Sequence, residues 1–203
     1  MTKSHTSYGR MSLFTHQGER KYLNSAERAL FLQNLSVIKK ATDQTFCEMV
    51  FWTGCRPSEA LALTPLHIDL DEQLVIIRSL KKRGQKKGRH FRPIPLPSSL
   101  VKRLNKLHHI RERQTDQRNT RLWPFSRTTA WQRISDVMKA AGLTGAKACG
   151  RGLRHAYGVH AAMCEIPLTR IKNWLGHESL ETTEIYLDMA AREDRLLAGR
   201  MWK

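Results

Sequence analysis

The residue types best suited to chemistry in this chain are two arginines, a histidine and a tyrosine, which follow one another in that order. Arg56 stands in the run Gly-Cys-Arg-Pro-Ser-Glu, Arg154 in Leu-Arg-His, and Tyr186 comes nine residues after His177. A guanidinium binds two phosphate oxygens with its planar fork and stays charged at any working pH. A phenol becomes a nucleophile when it loses its proton, although its unperturbed pKa is about 10. These residues suit the transfer of a phosphodiester to a tyrosine.

In this order and spacing the residues resemble the tyrosine recombinase (phage integrase) family, over nearly the whole chain. The resemblance implies that Arg56 and Arg154 bind the scissile phosphate and stabilise its transition-state charge. It implies that Glu59, one helical turn after Arg56, orients that arginine. It further implies that His177 donates to the phosphate from the far side and that Tyr186 is the nucleophile. Each residue alone has a simpler interpretation: a surface ion pair, a capping or solvent-facing histidine, and a tyrosine at the edge of the core.

A strongly basic connection separates two expected strands. Residues 81–89 hold six cations and two glycines, a composition typical of a loop that is disordered unless a partner neutralises its charge. The family carries a lysine on a β-hairpin that is thought to protonate the leaving oxygen. Lys81 is favoured for this role, because the family's lysine tends to sit where the outgoing strand ends. Lys82, Lys86 and Lys87 are the alternatives for this role. Together with Arg89, these three lysines are also expected to contact DNA.

One position departs from the family's pattern. Three residues before its second arginine the family usually has a histidine or lysine, proposed to accept or relay the proton of the tyrosine, whereas this chain has Arg151. Arginine is effectively never deprotonated in proteins, so Arg151 cannot act as a general base. Its charge can still hold the phosphate and lower the pKa of the phenol. We expect slower chemistry than in a relative with histidine there, or transfer of the proton to water or to His155.

A helix that follows Ser126 carries side chains suited to a major groove. In the family the matching helix lies on DNA, so Arg127, Gln132 and Arg133 are candidates for DNA contacts. Trp131 has two interpretations, because a tryptophan at this spacing suits either that surface or the core.

The pattern along the chain predicts a mainly α fold with a small antiparallel β-sheet or hairpin. The resemblance implies the same class, the catalytic-domain fold of tyrosine recombinases that break and rejoin DNA. Residues 1–20 are expected to form a loose basic leader and residues 21–190 the catalytic domain. Residues 191–203 are expected to form an amphipathic tail that docks on a neighbouring subunit or packs on its own core.

The elements that must position the candidate residues follow from capping signals and periodicity. Strands are expected over residues 74–80 and 91–96, with prolines that suggest an edge strand. Two of the expected helices start after Asn24 and at Pro57. Five others are expected over residues 43–52, 98–113, 126–142, 150–164 and 167–175. The last expected helix is capped by Ser179 and carries Tyr186.

Charge is the strongest feature of the composition. Lysine and arginine number 35 against 18 acidic residues, which gives a formal net charge of +17 and a pI of about 10.3. Such an excess favours a polyanionic partner, either a nucleic acid or an anionic membrane surface. The chain has no apolar run of the ~18 residues that a transmembrane helix needs, and residues 1–20 lack the apolar segment of a signal peptide. Nucleic acid is therefore favoured, with a cytoplasmic, nucleoid-associated location.

The four cysteines show no CxxC spacing, and no Cys/His cluster has the spacing of zinc ligands. Reduced, partly buried thiols are expected, and no metal site. The resemblance implies that no cofactor is needed, because a phosphotyrosyl link stores the energy of the broken phosphodiester bond.

The resemblance also implies an assembly. The expected partner is double-stranded DNA at specific recombination sites, bound by a homotetramer that is a monomer when free. Only about twenty residues precede the first expected helix, whereas most of the family carry a helical core-binding domain that closes a clamp around DNA. We expect either a naturally minimal recombinase, similar to the fimbrial phase-switch invertases, or a fragment. In both cases DNA binding should be weaker and more sensitive to salt.

Three other functions compete with recombination. A non-catalytic DNA-binding relative would keep the fold and lose the chemistry. A type IB topoisomerase shares the phosphotyrosine chemistry but relaxes supercoils as a monomer. A basic RNA-binding protein would explain the charge but not the ordered set of motifs.

Overall fold

The computed structural model describes residues 12–79 and 91–187, together with Gly199 and Met201. In this part of the chain the helices are α1 (Ser25–Gln33), α2 (Ala41–Thr53), α3 (Pro57–Ala60), α4 (Ser98–His108), α5 (Ile110–Asp116), α6 (Arg127–Ala140), α7 (Gly150–Met163), α8 (Leu168–Leu175) and α9 (Glu181–Glu184). The strands β1 (Ile68–Asp69), β2 (Leu74–Arg78) and β3 (Phe91–Pro95) form one antiparallel sheet in that order. The mainly α fold with a small antiparallel sheet is confirmed. None of the helices described here has the length and apolar character needed to cross a membrane.

Two helix ends close to the candidate residues are set by local sequence. Asn24 Oδ1 accepts the N–H of Glu27 at 2.8 Å, and the Glu27 carboxylate accepts the N–H of Asn24 at 2.9 Å, a capping box that starts α1 as expected. Helix α2 ends at Gly54, whose φ of +60° is the left-handed conformation that favours glycine. A Cβ at Gly54 would lie 2.7 Å from the ring of Tyr157, so close packing also requires glycine here.

The sheet alternates between a core side and a solvent side. Val75 and Ile77 in β2 and Ile94 in β3 are buried, with Val75 opposite Ile94 in the register. By the same alternation Arg92, opposite Ile77, lies on the core side and is only 7% exposed. A buried arginine in an apolar row needs partners for its charge, and those partners belong to the candidate site.

Helix α7 lies at the centre of the domain, packed against α2 and α8. Most of its small and apolar residues are buried, including Gly152, Leu153, Ala156, Gly158 and Val159. A Cβ at Gly158 would lie 2.5 Å from the ring of Tyr186, so glycine lets the tyrosine pack directly on the helix backbone. All four cysteines are free, and Cys47 and Cys55 are buried, which agrees with the expected partly buried thiols.

The expected single helix over residues 98–113 is wrong. His109 adopts a φ of +52°, so α4 ends at His108 and α5 begins at Ile110. Both residues beside the break are buried, and His108 Nε2 lies 2.8 Å from Thr45 Oγ1. Helix α5 also extends beyond residue 113, to Asp116.

The expected leader is only partly described. Residues 1–11 lie outside the described part of the chain. In the segment that follows, Leu13 is 4% exposed, and Phe14 pairs with Arg20 in an antiparallel bridge. This segment therefore packs on the domain instead of forming a loose extension, because a buried leucine anchors it.

The last described helix differs from the expected one. Helix α9 is a single turn whose N-cap position is Leu180, one residue later than expected. Ser179 Oγ nevertheless accepts the N–H of Thr182 at 3.4 Å, a bond of the kind that a capping side chain forms. Tyr186 lies two residues beyond the end of α9, in a turn. Most of the expected tail, residues 191–203, lies outside the described residues.

Candidate active site

Arg56 and Glu59 are joined across one short helix. Arg56 precedes α3, and the carboxylate of Glu59 accepts its backbone N–H at 2.9 Å and its Nη1–H at 3.0 Å. Glu59 is 1% exposed, whereas the side chain of Arg56 keeps 34% of its surface exposed. A surface ion pair would expose both partners. Here a buried carboxylate holds an accessible guanidinium, which leaves Arg56 able to meet an anion.

Arg92 is a candidate that the sequence analysis missed. Its Nη2 donates to Glu59 Oε2 at 2.6 Å, its Nη1 to Ser79 Oγ at 2.8 Å, and its Nε to the carbonyl of Trp174 at 2.8 Å. These bonds join α3, the end of β2 and α8. Burial raises the pKa of the Glu59 carboxyl, but the hydrogen bond and charge of Arg92, with Arg56, outweigh it and hold that pKa below its ordinary value.

Arg154 connects two loops. It is 8% exposed, and it donates from Nη1 to the carbonyl of Gly54 at 2.9 Å and from Nη2 to the carbonyl of Leu175 at 2.6 Å. Gly54 stands two residues before Arg56, and Leu175 stands two residues before His177. Burial, and then the charge of Arg56, lower the pKa of Arg154 to about 10. The guanidinium therefore remains a cation at neutral pH.

His177 follows the glycine that ends α8. Its Nδ1 lies 2.9 Å from Thr183 Oγ1, and its ring lies beside that of Tyr186, with centroids 6.1 Å apart and planes at 23°. Burial, followed by the charges of Arg154 and Arg56, lowers the pKa of His177 to about 3. The imidazole is therefore neutral at pH 7, with one nitrogen available as a donor.

Tyr186 is fully buried, at 0% exposure. Its Oη lies 3.2 Å from His155 Nδ1, and its ring packs on the backbone of Gly158. Burial raises the pKa of Tyr186 to about 12, and the charge of Arg154 offsets only part of that rise. The phenol is therefore protonated and shielded from solvent in this arrangement.

His155 and Arg151 lie one helical turn apart at the start of α7 but differ in exposure. Arg151 is exposed, whereas His155 is 3% exposed. Burial, and then the charges of Arg154 and Arg151, lower the pKa of His155 to about 4. His155 is therefore neutral at pH 7, and its Nδ1 can accept a hydrogen bond from the phenol.

The structure brings Arg56, Arg154, His177 and Tyr186 into one region. Arg154 donates to the carbonyls beside Arg56 and His177, and the ring of His177 lies beside that of Tyr186. Their roles in catalysis stay predictions. The hairpin candidates lie outside the described residues: Lys81, Lys82, Lys86, Lys87 and Arg89. Ser79, the last described residue before them, accepts a hydrogen bond from Arg92.

The candidate DNA contacts on α6 lie in different environments. Arg127 and Gln132 are exposed, and Trp131 is 59% exposed, which favours the surface interpretation over the core. Arg133 is half-buried and donates to Asp43 Oδ2 from Nε at 3.1 Å. DNA contact by these residues stays a prediction.

Stability is expected to fall in mildly acidic solution because three histidines are buried in their neutral form. Burial lowers the pKa of His108 and His155 to about 4 and that of His177 to about 3, against about 6.5 in an unfolded chain. Between these values the unfolded chain binds more protons than the folded one, so stability is complete above about pH 6.5 and is lost as pH falls towards 4. We expect the Tm to decrease steadily from pH 7 to 4.5, and to decrease less in His108→Gln. An unchanged Tm across this window would contradict the burial of neutral histidines.

Comparison with known proteins shows which family and fold the chain matches. The family model described as "Phage integrase family" matches residues 21–193. Tyrosine recombinase XerA of Thermococcus onnurineus (strain NA1) is 26% identical over 183 residues, which are 83% of this chain and 62% of that protein. The crystal structure of XerH site-specific recombinase in a post-cleavage complex with palindromic difH substrate has a TM-score of 0.76 at 20% identity, over 95% of this chain and 57% of that one. The catalytic domain of bacteriophage HP1 integrase has a TM-score of 0.62 at 18% identity, over 87% of this chain and 92% of that one.

These likenesses differ in what they show. The two solved structures share the fold, that of tyrosine recombinase catalytic domains. The chain spans between 45% and 62% of the length of six curated relatives that it matches.

Proposed function

The chain belongs to the phage integrase family, and on this premise we propose that it is a site-specific recombinase that cuts and rejoins duplex DNA through a covalent bond to Tyr186. The observation that carries the proposal is the pair of hydrogen bonds by which Arg154 connects the loops of Arg56 and His177. The guanidinium groups of Arg56, Arg92 and Arg154 outnumber the one buried carboxylate, that of Glu59, so this region has a net positive charge. Such a site favours a phosphate, and most of all the extra charge of a phosphoryl transition state.

In the proposed step Tyr186 Oη attacks the phosphorus, and the bond from phosphorus to the 5′-oxygen breaks. The products are a 3′-phosphotyrosyl link and a 5′-hydroxyl. The phenolic proton passes to water or to His155, whose Nδ1 lies 3.2 Å from Oη before Tyr186 leaves its pocket. The leaving oxygen takes a proton from a hairpin lysine, for which we propose Lys81. Arg56 and Arg154 stabilise the charge on the non-bridging oxygens.

A hydroxyl of a partner strand then reverses the step. Because the phosphotyrosyl link conserves the energy of the broken bond, neither ATP nor a metal is part of the proposed reaction. Four protomers, two of them active at a time, would exchange strands through a Holliday junction, and the free chain would be a monomer. This assembly, the specific DNA sites and a cytoplasmic, nucleoid-associated location are parts of the proposal.

Tyr186 must leave its pocket before it can attack. Its side chain is 0% exposed and its pKa is raised to about 12, so the resting phenol is neither accessible nor ionised. The segment that carries it holds only the single turn α9, with Leu180 and Leu187 exposed on either side. We propose that binding of DNA moves this segment and brings the phenol to the phosphate held by the arginines.

Arg151→His is expected to speed formation of the covalent adduct, because histidine supplies a group that can accept the phenolic proton and arginine cannot. General-base catalysis typically contributes ~10²–10⁴-fold, and His155 already provides part of it here, so we expect a gain of about tenfold or less at pH 7. Single-turnover rates of adduct formation would measure it. An inactive Arg151→His variant would show instead that the charge of Arg151 is needed to hold the phosphate.

The proposed function is tested by a denaturing-gel assay for a covalent protein–DNA adduct. Nicked duplexes from the DNA that flanks the gene would be incubated with wild type, Tyr186→Phe and Tyr22→Phe. Tyr22 is also buried, at 6% exposure, but it lies outside the candidate site, so Tyr22→Phe controls for the loss of a buried hydroxyl. We expect an adduct in wild type and Tyr22→Phe and none in Tyr186→Phe.

Other outcomes assign the chain to the competing functions. Specific binding of the duplex without any adduct would identify a non-catalytic DNA-binding relative. An adduct together with relaxation of supercoiled plasmid by the monomer, and without strand exchange, would identify a topoisomerase-like enzyme. An adduct that persists in Tyr186→Phe would remove Tyr186 as the nucleophile.

A further inference from the structure

A cavity of about 360 Å³ opens beside α3, outside the group of candidate catalytic residues. Three arginines from separate elements line it: Arg78 at the end of β2, Arg121 in the loop before α6, and Arg127 at the first position of α6. The hydroxyl-bearing residues Ser58 and Ser126 complete its polar lining. We call this cavity the arginine cleft.

The arginine cleft concentrates positive charge, and none of the described residues that line it is acidic. All three arginines are exposed, and within the described residues none of them forms an ion pair with an acidic side chain. Cations gathered around one cavity repel one another. An anion bound between them would remove that repulsion and gain several charge-assisted hydrogen bonds.

The backbone adds further donors for an anion. Helix α6 is fourteen residues long, and its N-terminus opens at the cleft. Ser126 caps the helix by accepting the N–H of Thr129 at 3.1 Å, and the first backbone N–H groups of a helix have no partner within it. The partial positive charge of this helix end therefore acts together with three guanidinium groups from different elements.

The position of the cleft identifies the anion. Ser58 lies on α3 two residues after Arg56, the first proposed ligand of the scissile phosphate. The apolar part of the lining, Leu61 and Phe125, suits the carbon skeleton of a sugar. A cavity of this volume accommodates a small ligand, and a sugar–phosphate unit of a strand that continues from the scissile site would reach it without a separate partner.

We propose that the arginine cleft binds a backbone phosphate close to the scissile one and so fixes the register of the DNA strand on Arg56 and Arg154. This inference rests on the proposed function, because it takes the ligand to be the same DNA. Contacts to phosphates position a protein on DNA without reading its sequence. In this proposal Arg78 and Arg121, in addition to Arg127, align the scissile phosphate by binding its neighbour.

The experiment combines neutral substitutions of the arginines with DNA in which a single phosphate is replaced by an uncharged methylphosphonate. Single variants Arg78→Gln, Arg121→Gln and Arg127→Gln, and the triple variant, would be compared with Arg118→Gln. Arg118 is exposed in the same loop as Arg121 but does not line the cleft, so it is a matched control. The probes are duplexes selected by wild type from a randomised pool, each carrying one methylphosphonate at a different linkage, and inorganic phosphate as a competitor.

We expect one methylphosphonate position near the cleavage site to weaken binding by wild type and by Arg118→Gln, and to have no effect on the triple variant. The slope of log K against log salt should become shallower by about 0.9 for each phosphate that a variant no longer neutralises. Thermal unfolding of the triple variant should match that of wild type, because the three side chains are exposed. Competition by inorganic phosphate at millimolar concentration, with an unchanged methylphosphonate pattern in the triple variant, would show a site for free phosphate instead of DNA.

Two further outcomes separate this inference from the proposed function. If the triple variant keeps the salt slope and the methylphosphonate pattern of wild type, the arginine cleft does not bind DNA, while Tyr186 can still form its adduct. If wild type binds no duplex at all, the proposed function fails and the cleft proposal fails with it.

Discussion

Arg92→Met is expected to lower the free energy of unfolding by about 3–5 kcal/mol, the usual cost of leaving one member of a buried ion pair without its partner. Glu59 is 1% exposed and accepts its shortest hydrogen bond from Arg92, at 2.6 Å. The remaining partner, Arg56, is partly exposed and cannot compensate for the burial of the carboxylate. The variant should also lose adduct formation, because a carboxyl that takes up a proton holds Arg56 less firmly. Urea unfolding and single-turnover adduct assays on the same samples would measure both.

The control for Arg92 is to remove both members of the pair. Glu59→Leu with Arg92→Met leaves no buried charge, so most of the lost stability should return, while the adduct rate should stay low because Arg56 has lost its orienting carboxylate. Arg111→Met breaks a solvent-exposed pair with Asp71 and should cost about 1 kcal/mol or less. A double variant that forms adduct at the wild-type rate would show that the pair has a purely structural role.

The same pair predicts a second acidic transition in stability. The pKa of Glu59 is held below its ordinary value in the folded protein, so the pair stabilises the fold above the unfolded pKa of about 4.3. That stabilisation is lost as pH falls through the lowered value. This loss should therefore occur at lower pH than the loss due to the histidines. It should be absent from the Glu59→Leu and Arg92→Met double variant.

Local signals in the sequence predicted the elements that begin or end at special residues. The capping box of Asn24 and Glu27, the left-handed Gly54 and the cap at Ser126 are contacts within a few residues of one another, so the sequence contains them in full. The helix break at His109 was not predictable in this way. A histidine in the left-handed conformation has no strong local signature, and the burial of His108 and Ile110 on either side depends on the packing of distant elements.

Arg92 shows why part of the site was missed. The family's pattern directs attention to arginines in known motifs, whereas the role of Arg92 depends on Glu59, thirty-three residues away, and on Trp174, eighty-two residues away. One signal was present in the sequence. The alternation of β3 places residue 92 on the same side as Ile94, and an arginine on the core side of a strand requires an acidic partner.

The buried state of Tyr186 was beyond the reach of the sequence for a related reason. The family resemblance implied that His177 and Tyr186 act on the same phosphate, and their rings do lie side by side. The spacing contains no information on Gly158, which allows the ring to lie against α7, or on His155, which meets its hydroxyl. These contacts depend on how α7 and the last turn pack together.

Arg154→Met is expected to abolish most adduct formation and to destabilise the fold as well, and comparison with Arg56→Gln separates these effects. Loss of one preorganised donor to the transition state typically costs on the order of 10²–10³ in rate. For Arg154 two buried carbonyls, those of Gly54 and Leu175, also lose their donors, at about 1–3 kcal/mol for each unsatisfied group. Among the described residues Arg56 bonds only to Glu59, three positions away, and its side chain is 34% exposed.

Arg56→Gln should therefore lose a similar factor in rate while its free energy of unfolding falls by about 1 kcal/mol or less. Arg154→Lys keeps the charge of Arg154, but one ammonium cannot reproduce a fork that bonds to two loops. It should recover part of the stability and little of the rate, because the loops of Arg56 and His177 would no longer be held together. A wild-type adduct rate in Arg154→Lys would mean that charge alone is sufficient. Equal destabilisation by Arg56→Gln and Arg154→Met would contradict the connecting role that the two hydrogen bonds of Arg154 indicate.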